Sequence, residues 1–374
     1  MLTLLRGAEV FAPEHLGRQD LLIAGPRIVA MAPRLPTFAG DLAQEVDLEG
    51  RIVIPGLIDA HVHVTGGGGE SGPASRVPPL ARSALTAGGV TTCVGVLGTD
   101  GTTRTIASLV AKTLGLRQEG ISAYCYTGSY ELPLQTLTGS VRRDMVFVDP
   151  VVGVGELAVS DHRSSQPTLE ELLRVASDAH VGGLMSGKAG LLHLHLGDGS
   201  RGLDLVRRAL ESSELPPRVF HPTHVNRQRR LLVEAIELTK RGVTIDVTAF
   251  PPGPKDDPAL SAADALLAFY ASGAPRERVT CSSDGGGCLP VFNAEGLMTS
   301  MDVGRPTTLM ETVVDLVGRG LTLDQVLPPF TTNVASLFRF ARKGRLRVGA
   351  DADLVVLGPE LQVTEVMARG AWVR

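Results

Sequence analysis

Along residues 1–50 the apolar positions fall in short runs, at 21–23, 28–31 and 45–48, broken by Gly-Pro and proline-rich turns. That texture predicts strands and turns. From residue 52 onward it changes. Short apolar segments at 52–54, 90–96, 123–127, 152–159, 191–196, 218–221, 243–248 and 279–282 are separated by amphipathic helical stretches, the signature of repeated βα units. Eight strands with helices between them is a barrel count. After a helical stretch at 323–340, strand-like segments resume over 343–357 and 363–367 and end near Trp372. A closed barrel has no edge to accept them, so they are expected to pair with the first 50 residues. The predicted fold class is α/β: a (β/α)8 TIM barrel over residues 51–342, with a small β-sandwich domain built from both chain termini, residues 1–50 and 343–374.

The 374 residues suffice for one barrel and a small accessory domain. A formal charge of −4 argues against an electrostatic binder of nucleic acid or of an anionic membrane, and leaves a small-molecule partner as the expectation. No run of about 18 apolar residues occurs, and the opening Met1-Leu-Thr-Leu-Leu-Arg6 has no basic region leading into a long apolar core. A cytoplasmic protein is expected. Cys93, Cys125, Cys281 and Cys288 show neither zinc-ribbon spacing nor the density of a disulfide framework. Core packing accounts for them, with Cys288 the exception to watch.

The chemistry centres on His61-Val-His63. Two histidines one residue apart on an extended segment face the same way, so both imidazoles can reach one ion. Alternatively, two polar residues at a strand end simply face water. Barrel active sites gather at the C-terminal strand ends, where His195, the His224 that follows the sixth strand, and Asp284 also fall. Four histidines and a carboxylate from four strand ends form the ligand inventory of a hydrolytic site with two divalent metal ions, and nitrogen and oxygen donors suit Zn2+. His193 shares the face of His195 one layer lower. His162 and His221 are candidates to hydrogen-bond the ligands, whereas His15 and His180 read as surface residues. Gly182-Gly-Leu-Met-Ser-Gly-Lys188-Ala189 nearly matches a phosphate-binding loop, but alanine stands where the hydroxyl for magnesium belongs.

Pro55-Gly-Leu-Ile-Asp-Ala-His-Val-His63 resembles the first-strand signature of the amidohydrolase superfamily, and its continuation through Gly66–Gly69 to Glu70 resembles the isoaspartyl (β-aspartyl) dipeptidases. The resemblance covers nearly the whole chain. It implies a metallo-dipeptidase that hydrolyses the β-aspartyl amide bond by a metal-bound hydroxide, with Asp284 as general base and then general acid, and a homo-oligomer. It also implies site roles. Glu70 would pair with the substrate α-ammonium, Thr99 in Leu97-Gly-Thr-Asp100 would contact the aspartyl end, and Tyr130 in Thr127-Gly-Ser-Tyr130 would hydrogen-bond the carbonyl as it becomes an oxyanion. Arg163 in Ser160-Asp-His-Arg163 and Arg227 in Thr223-His-Val-Asn-Arg227 would hold substrate carboxylates, where a planar fork suits a planar acceptor.

The sequence departs from that pattern twice. Five residues before Asp161 the family carries a lysine bearing a carbamate that bridges the metals; here Glu156 stands there. Glutamate keeps one negative charge and two oxygens on a shorter arm, so bridging requires strand four or the metals to shift. Its other reading is a glutamate on a strand facing elsewhere. Cys288, after Ser283-Asp-Gly-Gly-Gly287, replaces a serine that helps bind a carboxylate, and a thiol is the weaker donor. The alternatives are a related amidohydrolase acting on a cyclic imide or an N-acyl amino acid, and a catalytically inactive amidohydrolase-like binding or assembly protein.

Overall fold

The computed structural model describes residues 2–38, 42–250, 259–293, 295 and 297–374. Eight parallel strands follow in chain order: β1 (Leu57–Val62), β2 (Val90–Gly95), β3 (Ser122–Thr127), β4 (Val151–Val159), β5 (Leu191–Leu196), β6 (Phe220–Thr223), β7 (Ile245–Thr248) and β8 (Val279–Ser282). Strands β1 to β6 form one parallel sheet in sequence order, and β7 pairs with β8. Two seams join these sheets. At one, Val62 bridges to Gly285 just past β8, and the His63 amide donates to the Gly285 carbonyl at 2.8 Å. At the other, side chains replace the ladder: Thr223 donates to Asp246 at 2.7 Å, and Asn226 exchanges hydrogen bonds with the Thr248 backbone at 2.9 Å.

The helices between the strands are set by local chemistry. Leu169–Ser186 opens on a Thr168–Glu171 capping box and ends at Gly187 in the left-handed conformation. It buries Leu172, Val175, Ala176 and Ala179 against the sheet, a three-to-four spacing that places one apolar stripe inward. The near-match to a phosphate loop is the end of this helix, and Lys188 donates to the Val148 carbonyl.

Segments from both termini share one sheet of eight strands. Its ten-residue strand Leu2–Phe11 accepts Ala43–Asp47 along its first half and Ile52–Pro55 along its second, both parallel. Leu354–Leu357 pairs with Ile52–Pro55 and brings in Val363–Ala368 from the C-terminus. One expectation is overturned here: residues 52–54 are not the first barrel strand. They belong to the terminal sheet, and the barrel begins at Leu57. A short apolar run carries no mark of which sheet buries it, whereas Leu57–Val62 holds Asp59 and His61 and reads as less strand-like. Between the two strands lies Gly56, where a Cβ would come within 2.2 Å of the Thr91 hydroxyl. Only glycine allows the chain to pass from one sheet to the other there.

Cys93, Cys125 and Cys281 are buried in the core, and Cys288 is half-buried. Cys288 opens an antiparallel hairpin, Cys288–Phe292 with Met298–Val303, that the sequence pattern does not announce. No helix among the described residues is long and apolar enough to cross a membrane.

Candidate metal centre and substrate pocket

The end of β1 delivers His61 and His63 to one point, with their Nε2 atoms 3.3 Å apart. Both face Oε1 of Glu156 at 3.4 Å and Oδ1 of Asp284 at 3.3 and 3.0 Å. The other oxygen of Glu156, Oε2, lies 3.2 Å from Nδ1 of His195 and 3.7 Å from Nε2 of His224. One carboxylate therefore presents one oxygen to each histidine pair. Three overlapping groups, His61–His63–Glu156, His61–His224–Asp284 and Glu156–His195–His224, each bring three ligand atoms within 4.8 Å of one another. Glu156 reaches this position from a strand that carries an extra residue: Leu192 and Leu194 of β5 pair with Val154 and Leu157 of β4. A bulge of this kind re-aims a side chain.

The donor set fits metal ions. Glu156 Oε1, Asp284 Oδ1 and His63 Nδ1 are buried polar atoms without a hydrogen-bond partner, an arrangement that costs free energy unless cations complete it. Burial by itself raises the carboxyl of Glu156, but the His61 charge and the hydrogen bonds from His195, His224 and His61 outweigh it and hold the group well below the usual range. For Asp284 burial is likewise outweighed, here by His61 and His63. Burial pulls His61 down, yet Glu156 and Asp284 together hold it well above the ordinary imidazole value. Burial keeps His224 neutral, with a pKa lowered to about 3. Its Nδ1 pairs with Thr248 at 2.7 Å, which leaves Nε2 free for a ligand role.

His224 and Asp284 both adopt positive φ, 63° and 53°. Non-glycine residues held there store strain that tends to collect at functional sites. Gly98 makes room for His63: a Cβ at that position would sit 2.7 Å from His63 Cε1.

No family model matches the chain. Among curated proteins it is similar to a dihydroorotase of Lactiplantibacillus plantarum, 24% identical over 99% of this chain and 93% of that one. The structure of N-acetylglucosamine-6-phosphate deacetylase from Pasteurella multocida shares the fold at TM-score 0.67 and 15% identity, covering 100% of this chain and 99% of that one. A far nearer likeness is the β-aspartyl dipeptidase of Fervidobacterium islandicum AW-1, solved with β-Asp-Leu: 41% identity and TM-score 0.95, over 100% of this chain and 96% of that one. The chain belongs to the β-aspartyl dipeptidase family. With it goes membership of the amidohydrolase superfamily.

In this β-aspartyl dipeptidase family member the residues expected to bind substrate lie beside the candidate metal-holding cluster. Thr99 Oγ1 donates to Glu70 Oε1 at 3.0 Å, and Arg163 Nη1 approaches the same oxygen at 3.4 Å. Glu70 Oε2 is buried without a hydrogen-bond partner, an acceptor left for an incoming donor. Tyr130 lies 2.7 Å from His195 Nδ1. Burial and nearby Glu156 hold its phenol well above the ordinary value, so it stays a hydroxyl. Cys288 is close enough to Glu70 and Arg163 for both to act on its thiol, which burial and Glu70 push up to about 12. Arg227 stands apart from the Glu70 group, over the Phe250 ring at 5.8 Å and 3.8 Å from Asp198, with its Nε buried and unpaired. Phe250 in turn stacks on His224 at 5.9 Å.

Several residues at the site were given no role by the sequence. Asp161 joins His195 Nε2 at 3.0 Å to Arg163 at 2.8 Å, so one buried carboxylate holds the imidazole and the guanidinium together. Asp59 accepts from the His61 and Ser283 amides at 3.3 and 3.1 Å and from the Ser283 hydroxyl, tying β1 to the segment that carries Asp284. Burial raises its carboxyl to about 7. Arg104, itself buried, donates to the carbonyls of Gly67 at 2.7 Å and Gly68 at 3.1 Å and to Asp100 at 3.0 Å. It clamps the glycine loop that ends in Glu70 against the loop that carries Thr99. His193 and His221 lie one layer below the site, hydrogen-bonded as expected. The His162 side chain is 58% exposed, with its Nδ1 3.6 Å from Asp161.

Proposed function

We propose that this protein hydrolyses dipeptides joined through the β-carboxyl of aspartate. The observation that carries the reading is the placement of Glu156, with one oxygen before each histidine pair. It supports a centre of two divalent ions, taken as Zn2+ from the nitrogen and oxygen donors, that His61, His63, His195, His224 and Asp284 would hold, with Glu156 supplying the carboxylate where the family carries a carbamylated lysine. Bound there, the ions supply Lewis acidity and a water activated for attack at neutral pH.

The chain's own groups would do the rest. Asp284, kept ionised and left with an unpaired oxygen, accepts the proton of the attacking water and passes it to the departing amine. Tyr130 donates a hydrogen bond to the carbonyl oxygen as charge builds on it. The free oxygen of Glu70 receives the substrate α-ammonium, with Thr99 fixing the carboxylate's orientation. Arg163, Arg227 and Cys288 line the carboxylate contacts. Charges of both signs beside the metals match a zwitterionic dipeptide; a cyclic imide has no ammonium to offer Glu70.

The terminal sheet encloses a separate core that includes Leu5, Val10, Leu21, Ile28, Val53, Leu354 and Met367. This supports reading the two chain termini as a small sandwich domain beside the barrel, with its N-terminal boundary moved from residue 50 to Gly56 because Ile52–Pro55 lies in the terminal sheet. A cytoplasmic homo-oligomer completes the proposal.

The test compares β-Asp-Leu, α-Asp-Leu and N-acetyl-β-Asp-Leu as substrates of the zinc-loaded protein. Hydrolysis of the first alone is expected. Turnover of the acetylated peptide at an equal rate would remove Glu70 from recognition and contradict a dipeptidase.

A further inference from the structure

Beneath the metal centre the barrel interior divides into two halves. On the side of β1 to β4 it is apolar, with Ile58, Ala60, Val94, Val96, Tyr126 and Val152 around Phe338. On the side of β5 to β8 it holds a polar string. His61 Nδ1 meets His193 Nε2 at 2.8 Å, His193 Nδ1 meets His221 Nδ1 at 3.0 Å, and His221 Nε2 meets Thr280 Oγ1 at 3.1 Å. Thr280 then donates to Oδ1 of Asp246. All five side chains are fully buried. Tyr126 stacks flat on His193 with ring centres 4.9 Å apart, and the edge of Phe338 meets His221 at 6.4 Å.

The direction of the protons along this string follows from its far end. Asp246 receives hydroxyl protons from Thr280 on Oδ1 and from Thr223 and Ser282 on Oδ2, so its oxygens act as acceptors throughout. Thr280 has one hydrogen to give and gives it to Asp246, so toward His221 it can only accept. His221 must then carry its proton on Nε2 and accept on Nδ1. His193 must donate from Nδ1 and accept on Nε2, and His61 must carry its proton on Nδ1. One proton on each shared contact satisfies the whole string, which fixes the His61 proton on Nδ1 and leaves Nε2, facing Glu156 and Asp284, as its ligand atom. Reversing any ring would set two lone pairs or two hydrogens against each other in a buried interior, where an unmade hydrogen bond is costly.

We propose that Asp246, acting through Thr280, His221 and His193, is a positioning residue that fixes the tautomer and orientation of the metal ligand His61 from four hydrogen bonds away. The inference rests on the reading of His61 as a ligand. A partner on the second nitrogen of a metal-bound imidazole fixes its tautomer, and its loss typically lowers metal affinity about 10–100-fold. Here the partner is a string of four groups ended by a carboxylate, which is why a histidine, an otherwise ambiguous donor, can serve as its first member.

The experiment uses the full chain labelled with 15N-histidine, as wild type, Thr280→Val, Thr280→Ser and Asp246→Asn. Zinc affinity is read by competition with a chelator, imidazole tautomers by long-range 1H–15N spectra with and without zinc, and folding by thermal unfolding of the metal-free protein. Wild type and Thr280→Ser should bind zinc alike and show His61 with its proton on Nδ1. Thr280→Val and Asp246→Asn should bind zinc about 10–100-fold more weakly and show a second tautomer at His193 and His221 when metal-free. Unchanged affinity and an unchanged tautomer in the folded valine variant would overturn the relay. Equal loss in the serine and valine variants would overturn it too, by assigning the effect to the threonine methyl. A wild type that retains no zinc would instead remove His61 as a ligand and refute the functional reading on which the relay stands.

Discussion

Replacing Glu156 by glutamine changes almost nothing in shape and nearly everything in charge. The amide keeps one carbonyl oxygen, so it can still face one histidine pair, but its NH2 group then points at the other and cannot ligate a cation. In the native protein the two oxygens stand 3.2–3.7 Å from nitrogens of all four histidines, so an ion at either pair lies within roughly 4 Å of the carboxylate charge. At an effective permittivity of about 20, one unit charge at about 4 Å from another contributes about 4 kcal/mol, and a doubly charged ion contributes no less. At about 1.4 kcal/mol per decade, Glu156→Gln should weaken zinc binding at least about a thousandfold. The assay is chelator competition on purified protein, with ions per chain counted by elemental analysis and β-Asp-Leu hydrolysis followed on the same sample. Glu156→Asp, which keeps the charge on a shorter arm, should lose much less affinity. A glutamine variant that holds two ions within about tenfold of wild-type affinity would show that Glu156 does not bridge them.

Asp284→Asn, assayed at saturating zinc, should lower kcat for β-Asp-Leu by about 10²–10⁴; activity retained at the wild-type level would take Asp284 out of proton transfer. Arg227→Ala should raise KM about 10–100-fold, the worth of a charged hydrogen bond, with little change in thermal unfolding, and an unmoved KM would remove the arginine from substrate binding. Arg104→Met should loosen the glycine loop and raise KM about tenfold with kcat changed less, since the residue touches Gly67, Gly68 and Asp100 but none of the metal ligands. For pH the sign runs through His61: its pKa is held above the ordinary value by Glu156 and Asp284 against the pull of burial, so the metal-free protein carries a proton that a bound ion must displace. Acid therefore favours the metal-free form, and apparent zinc affinity should rise about tenfold per pH unit until His61 deprotonates unaided. Competition titrations at about pH 6 and about pH 8 read this directly, and a pH-independent affinity would contradict it.

The barrel was legible because its strands are buried on both faces and so stand out as apolar runs between helical segments. The residues of the candidate metal cluster were legible because a barrel gathers its strand ends, so His61, His63, His195, His224 and Asp284 could be collected by position alone. Residues 52–54 were placed in the wrong sheet, since a run that short reports burial and not its partner. Glu156 could be flagged by its place in the Asp161 motif, but the bulge in β4 that aims it is a matter of pairing with β5 and leaves no trace in periodicity. The same holds for Asp161, Arg104 and the string from His61 to Asp246. Each acts through lateral hydrogen bonds between segments far apart in sequence, and a single chain read in order shows the residues without the contacts.

Zinc titrated into metal-free protein, with ions bound per chain and the rate of β-Asp-Leu hydrolysis recorded at each step, tests the central claim most directly. The account predicts two ions per chain, hydrolysis that reaches its plateau as the second binds, and loss of both on chelation. Full activity in metal-free protein, or two bound ions with no hydrolysis of β-Asp-Leu, would contradict it.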